Sequence, residues 1–265
     1  MLGSDRLSFY RTCIASPPLT PSNAPVKIFD SPNGAFKLRV PPDEAALADL
    51  VKQAHAACAG APDYEAAMRA EVARLLDARP VFWSKVWPAG LALGRYLLRT
   101  GLCKQRTVLG LGAGIGVCEV CAAIAGASDT VATDIEPKGL EYFLASAVDN
   151  GVGNRVRSMP FDWNKPIPKQ LGGPFDVLLA GDTLYQDEHA PALGMVIPKL
   201  VKRGGAVVFS DSLERPYKEG HHGMLAKLLE RAGFRQKACH DIAVDAPTGG
   251  VAAGKQVRVL VYERS

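Results

Sequence analysis

The chain has 265 residues, 48% of them hydrophobic, which suits one large α/β domain with an extension and excludes global disorder. No apolar run reaches the ~20 residues needed to cross a bilayer, so the sequence predicts a soluble protein with no membrane partner. A formal charge of +4 with scattered basic residues disfavours nucleic acid as a partner, because a duplex binder carries a denser basic stripe. The small basic group Lys199, Lys202 and Arg203 reads as a solvated helix end. Six dispersed cysteines form no disulfide framework and fit a reduced, intracellular chain.

Residues 1–42 are rich in Pro, Ser and Asn and show no sustained period, so they are expected to be flexible or irregular, with one short strand near Ala35–Val40. Arg6, Arg11 and the scarcity of acids resemble a targeting segment, whereas Asp5 and the clustered prolines favour a plain tail. A cytoplasmic location is expected, with the mitochondrion or plastid as the alternative. Residues 43–80 are expected to form a helical extension. Ala46, Leu47, Leu50 and Val51 recur at helical spacing, as do Val72, Leu75 and Leu76, and Pro62-Asp63 breaks the stretch in two.

From 81 to 265 the pattern changes to that of a single α/β domain. A helix is predicted over Gly90–Thr100, a strand over Thr107–Leu111, and a helix of small residues over Gly116–Ala125. Thr130–Thr133 is the next strand, followed by a helix from Pro137 to Asn150 and a strand over Val156–Met159. Phe175–Ala180 reads as a fully buried strand. A helix over His189–Val201, a strand over Ala206–Ser210 and a helix over His222–Ala232 follow. Strands near Phe234–Ile242 and Gln256–Tyr262 have no helix between them and must pair as an antiparallel hairpin. Alternating strands and helices predict a mainly parallel, Rossmann-like α/β sheet of seven strands covered on both faces.

The strongest local signal is Leu109-Gly110-Leu111-Gly112-Ala113-Gly114-Ile115-Gly116. A strand ends, three alternate glycines follow and a helix begins, so the backbone can turn tightly and approach a ligand. The dinucleotide fingerprint GxGxxG would put its third glycine at Val117. Here that glycine, Gly116, comes one step earlier, which suits the nucleoside and amino-acid parts of S-adenosyl-L-methionine.

Asp134 closes the next predicted strand, where an acid accepts hydrogen bonds from ribose hydroxyls; it is equally a candidate N-cap for the helix at Pro137. Asp162 and Trp163 follow the third strand as candidates for the adenine amino group and the adenine face, or as a turn residue and a core Trp. Asp182 and Tyr185, in Gly181-Asp182-Thr183-Leu184-Tyr185, follow the fourth strand and are the candidate catalytic pair that holds an incoming amine. A helix cap and a packing Tyr are the plainer alternative.

Phe82-Trp83-Ser84-Lys85-Val86-Trp87-Pro88-Ala89-Gly90 resembles the Trp-containing segment that precedes the glycine loop in the family-16 protein methyltransferases. Asp182-x-x-Tyr185 is similar to their Asp-x-x-Phe/Tyr motif, and the two together most resemble the electron transfer flavoprotein beta-subunit lysine methyltransferase branch. The resemblance spans Phe82 to Ser212. It implies a class I methyltransferase fold, S-adenosyl-L-methionine as cofactor and a lysine side chain of a protein substrate as acceptor. It implies further that Trp87 contacts the cofactor, Asp134 the ribose, and Asp162 with Trp163 the adenine. The glycine loop of Gly112, Gly114 and Gly116 would cradle the rest, with Asp182 and Tyr185 at the lysine entrance. One departure stands out: the family commonly has Glu or Asp where this chain has Gly110. That keeps two alternatives open beside the protein-lysine methyltransferase, namely a small-molecule N- or O-methyltransferase and a catalytically weak binding module.

Other motifs lead elsewhere. Cys118-x-x-Cys121 has no second close pair to complete a zinc site and reads as helix packing, so no metal is expected. Gly249 to Lys255 has the spacing of a phosphate loop, but Gln256 replaces the required Ser or Thr and a strand follows, so a hairpin loop is expected. His221-His222 reads as a helix-start loop.

Overall fold

In a computed structural model, residues 20–41, 43–78, 81–214, 218–244 and 255–265 are described. The chain divides into two compact units, one of residues up to Pro25 with Val40–Lys85 and one of Val26–Arg39 with Val86–Ser265. Among the described residues no helix is long and apolar enough to cross a membrane.

In the second unit, β1 (Val26–Phe29) and β2 (Phe36–Arg39) form an antiparallel hairpin. The strand expected near Ala35–Val40 is present as β2, but its partner was not foreseen. With four residues each, these strands carry too short an alternation to stand out from an irregular stretch. In the first unit, α1 (Asp43–Cys58) and α2 (Tyr64–Ala78) pack Val51, Ala54 and Cys58 against Met68 and Val72. Asp63 starts α2 by accepting the Ala66 N–H at 3.0 Å.

The second unit continues with α3 (Pro88–Thr100), β3 (Thr107–Leu111), α4 (Val117–Ile124), β4 (Asp129–Asp134), α5 (Pro137–Asp149) and β5 (Val156–Pro160). It ends with β6 (Phe175–Gly181), α6 (His189–Leu200), β7 (Val201–Ser212), α7 (Lys218–Arg231), β8 (Phe234–Val244) and β9 (Lys255–Arg264). The hairpin β1–β2 is pinned to α5. Arg39 makes a two-pronged pair with Asp149 at 2.6 and 3.0 Å, and the Lys37 N–H donates to Asn150 at 2.9 Å.

Seven strands lie in the order β5-β4-β3-β6-β7-β9-β8. The first five are parallel neighbours, while β9 runs antiparallel to both β7 and β8. This is the mainly parallel, Rossmann-like sheet expected from the alternation of elements, in the class I methyltransferase form that the resemblance implies. The loop expected between Gly249 and Lys255 lies mostly outside the described residues, and Lys255 already belongs to β9.

The sheet is buried on both faces because its strands are apolar at consecutive positions. On one face Leu109, Leu111, Leu178 and Ala180 pack beneath Leu193, Ile197, Leu225 and Leu229 of α6 and α7. On the other, Val108, Val177 and Leu179 meet Leu93 and Leu97 of α3 and Ala122 of α4. Each fully buried aliphatic side chain stabilises such a layer by about 1.5–3 kcal/mol. Crossovers from β3 run to β4 on one side, whereas β6 lies on the other, so the strand order reverses between β3 and β6. A crevice opens at the carboxyl ends of the strands at such a reversal.

Candidate functional site

The crevice is framed by β3 and its glycine loop. Gly112, Gly114 and Gly116 all have left-handed backbones, with φ of 64°, 55° and 77°, which a side chain would strain. Two of them also lack room. A Cβ on Gly116 would lie 2.6 Å from the Phe143 Cβ, and one on Gly112 would lie 3.0 Å from the Thr183 methyl and 3.2 Å from the Trp163 ring. Trp163 and Thr183 therefore pack directly over Gly112. The loop leads into α4, whose first N–H groups have no partner of their own within the helix.

Asp134, at the end of β4, holds the loop in shape. Its Oδ2 accepts the Gly114 N–H at 2.7 Å and its Oδ1 accepts the Glu136 N–H at 2.9 Å. Burial pushes this carboxyl up from its ordinary range, and those N–H groups draw it back. The helix cap proposed for Asp134 is not formed. Glu136 caps α5 instead, accepting the Lys138 N–H at 3.2 Å, because Asp134 still belongs to the strand.

Asp162 follows β5, and its Oδ1 accepts the Asn164 N–H at 2.9 Å in a local turn. Trp163 is half-buried and meets the His189 ring edge-on, with centroids 5.3 Å apart. His189 in turn meets Tyr185 at 4.6 Å, and its Nδ1 lies 2.6 Å from the Thr183 carbonyl. Trp163, His189 and Tyr185 thus form one aromatic wall running from Gly112 towards the surface.

Asp182 lies just past β6, on the opposite side of β3 from Asp134. The strands that lead to the two acids are about 10 Å apart, two strand spacings across β3. Asp182 is 6% exposed, and its backbone is left-handed at φ 60°. A non-glycine residue in this region costs on the order of 1 kcal/mol, although Asp adopts it more readily than most. It caps no helix, since Glu188 precedes α6. Its N–H donates to the Ser210 carbonyl at 2.8 Å. Tyr185 opens onto a pocket of about 360 Å³ that it lines with Gln186, Asp187, Glu188 and His221.

Trp87 precedes Pro88 at the start of α3 and has an extended backbone. That helix end docks at the crevice. The Ser210 hydroxyl donates to the Ala89 carbonyl at 2.9 Å, and the Cys118 Sγ lies 3.5 Å from the Gly90 carbonyl.

Four residues that no sequence argument used belong to the site. His189 links the two aromatic candidates. Thr183 carries a buried hydroxyl with no hydrogen-bond partner among the described residues. Ile135, directly after Asp134, is 70% exposed at the edge of the crevice. Glu119 is a buried carboxyl on α4. An apolar residue directly after a strand-ending acid was the available signal for Ile135; nothing local marks the other three.

Cys118 and Cys121 are buried packing residues whose thiols burial pushes up. Lys202 lies in β7 and pairs with Asp176 at 2.8 Å. His221 and His222 lie within α7 and not in a loop before it. They point apart and meet different carboxylates, Asp187 at 2.7 Å and Asp211 at 2.9 Å.

A family model described as "Lysine methyltransferase" matches residues 81–224. The electron transfer flavoprotein beta subunit lysine methyltransferase of Mus musculus is 31% identical over 142 residues, 53% of each chain. Protein N-lysine methyltransferase METTL21A of Danio rerio is 31% identical over 129 residues, covering 47% of this chain and 58% of its own. The chain thus spans about half the length of the curated relatives it matches. Among solved structures, a Pyrococcus horikoshii protein provisionally named an RNA methyltransferase superposes with a TM-score of 0.52 at 13% identity. That match covers 69% of this chain and 89% of the other, and at such identity it is a likeness of fold.

Proposed function

Because the chain belongs to the lysine methyltransferase family, we propose that it transfers a methyl group from S-adenosyl-L-methionine to a lysine side chain of a protein substrate. The observation that carries this reading is the left-handed glycine loop clasped by Asp134, with Trp163 and Thr183 packed against Gly112.

The residues present fit the cofactor. Gly112 and Gly114 leave partly exposed backbone in the loop, and the Thr183 hydroxyl, without a hydrogen-bond partner among the described residues, supplies a buried polar atom that a ligand would satisfy. Asp134 retains lone pairs for ribose hydroxyls beyond the two it commits to the backbone. Ile135 and Trp163 supply apolar cover for the adenine, Asp162 an acceptor for its amino group, and Trp87 a wall at the start of α3.

When bound, the cofactor supplies a methyl group already activated on a sulfonium, so alignment and dryness are what remain for the protein. Asp182 binds and orients the incoming ammonium. It cannot deprotonate the lysine by shifting its pKa, because a neighbouring carboxylate raises that value above about 10.4. A lysine would lose its proton to solvent before transfer, and the positive charge of the bound cofactor would favour the neutral amine. Tyr185, His189 and Trp163 would then limit water at the transfer itself, and their aromatic faces would favour a cation on its way in. The exposed carboxylates Asp187 and Glu188 at the pocket rim suit a basic protein surface.

The test is incubation of the purified protein with methyl-labelled S-adenosyl-L-methionine and a cell lysate, followed by acid hydrolysis of the labelled proteins. Methyl-lysine in the hydrolysate, absent with Asp182→Asn, is the expected result. Label found only in small molecules, or transferred to nothing, would overturn the reading.

A further inference from the structure

Glu119 is the charged residue whose position is hardest to explain by packing. It sits in α4, three residues after the glycine loop ends, and is 2% exposed. Its Oε2 is buried without a hydrogen-bond partner among the described residues. A carboxyl so placed costs several kcal/mol unless something compensates it, and Leu or Met would fill the same volume without that cost.

Its location supplies the compensation. A Cβ built on Gly110 would lie 2.6 Å from both Cγ and Cδ of Glu119, so the glutamate occupies the space that a side chain at 110 would enter. Gly110 pairs with Ala132 of β4 and Leu179 of β6, directly below the glycine loop. The strand residue is bare, and the helix that follows the glycine loop places a carboxyl in that space.

We propose that Glu119 is a cofactor-binding acid that takes the space left bare at Gly110 and receives the positively charged methionyl end of S-adenosyl-L-methionine. This rests on the cofactor reading above and extends it to a residue that the family pattern does not mark.

The electrostatics predict a proton exchange. Burial pushes the Glu119 carboxyl up to about 8, with its own backbone N–H opposing and nearby Asp134 adding to the rise. The other titratable groups that feel it are the thiols of Cys103, Cys118 and Cys121, which burial also pushes up and which stay neutral. Without ligand, Glu119 therefore holds its proton near neutral pH. A bound cation favours the carboxylate, so Glu119 releases the proton to the buffer as the ligand enters.

Calorimetric titration of S-adenosyl-L-methionine at pH 7.5, in two buffers of different ionisation heat, reads this directly. The wild-type chain should release between about half a proton and one proton per cofactor bound. Glu119→Gln should bind at least about tenfold more weakly and lose that release. The double variant Gly110→Glu with Glu119→Gly should recover affinity to within about threefold, because the carboxyl returns to the same space from the strand. Tight wild-type binding with equal heats in both buffers would overturn the proposal, as would undiminished affinity in Glu119→Gln. The wild-type proton count decides the matter even if the single variant does not fold. Failure of the wild-type chain to bind the cofactor at all would instead overturn the reading beneath it.

Discussion

The Asp134 carboxylate accepts the Gly114 N–H at 2.7 Å, tying the end of β4 to the middle of the glycine loop. Its second oxygen takes the Glu136 N–H, so one side chain shapes both the loop and the entry to α5. Asp134→Asn should bind S-adenosyl-L-methionine at least about tenfold more weakly, because its NH₂ group must face one of the two N–H donors. Stability should fall by about 1–3 kcal/mol for the donor left unpaired. Equilibrium binding and urea unfolding measure the two effects. An unchanged affinity would remove Asp134 from the cofactor site.

Asp182 combines burial with a left-handed backbone, so the choice of substitution matters. Asn tolerates that conformation, whereas Ala should cost about 1 kcal/mol for the backbone alone. Asp182→Asn should lower methyl transfer at least about a hundredfold while leaving cofactor affinity within about threefold. Parallel loss of both would make Asp182 part of the cofactor pocket and not of the lysine entrance.

Two loop glycines should separate stability from binding. Gly116→Ala forces a Cβ against Phe143 in a left-handed backbone and should destabilise the fold by about 2–4 kcal/mol. Gly112→Ala meets only the edges of Thr183 and Trp163, so its melting temperature should fall less while cofactor affinity falls more. Thermal melts with and without cofactor distinguish them. Equal melting losses would mean that Gly112 has no role in binding.

Asp176 should contribute a pH-dependent part of stability. Burial pushes its carboxyl up, but hydrogen bonds from Lys202 and from the Thr107 N–H and hydroxyl outweigh that and hold it down at about 2. A carboxyl lowered on folding stabilises the native state above the unfolded value near 3.9, and the contribution is lost as pH falls through about 2. Asp176→Asn should therefore cost stability at pH 6, on the order of 1 kcal/mol after solvent screening, and progressively less between about pH 4 and 2. Denaturant melts across that range test it. A constant difference at every pH would assign the effect to the hydrogen bonds alone.

Most of the sheet was legible in the chain because its signals are local. Thr107–Leu111 is bounded by Arg106 and Gly112 and is observed with those limits, and the two last strands, predicted with no helix between them, pair antiparallel as expected. Strand β7 begins at Val201, five residues before the predicted Ala206, because Val201 pairs with Phe175 beyond a local irregularity in β6. Such an extension depends on a partner strand and leaves no mark in the segment itself.

The sequence by itself determined the order of elements, the glycine turn and the acids at strand ends, since apolar period, backbone freedom and strand termination act between neighbours in the chain. Tertiary structure alone decided that Trp163 covers Gly112, that His189 joins Trp163 to Tyr185, and that Glu119 fills the space beside Gly110. Those relationships arise where strand order reverses and a helix folds back over its own strand. Residues distant along the chain then compete for the same few cubic ångströms, and only packing settles which of them occupies the space.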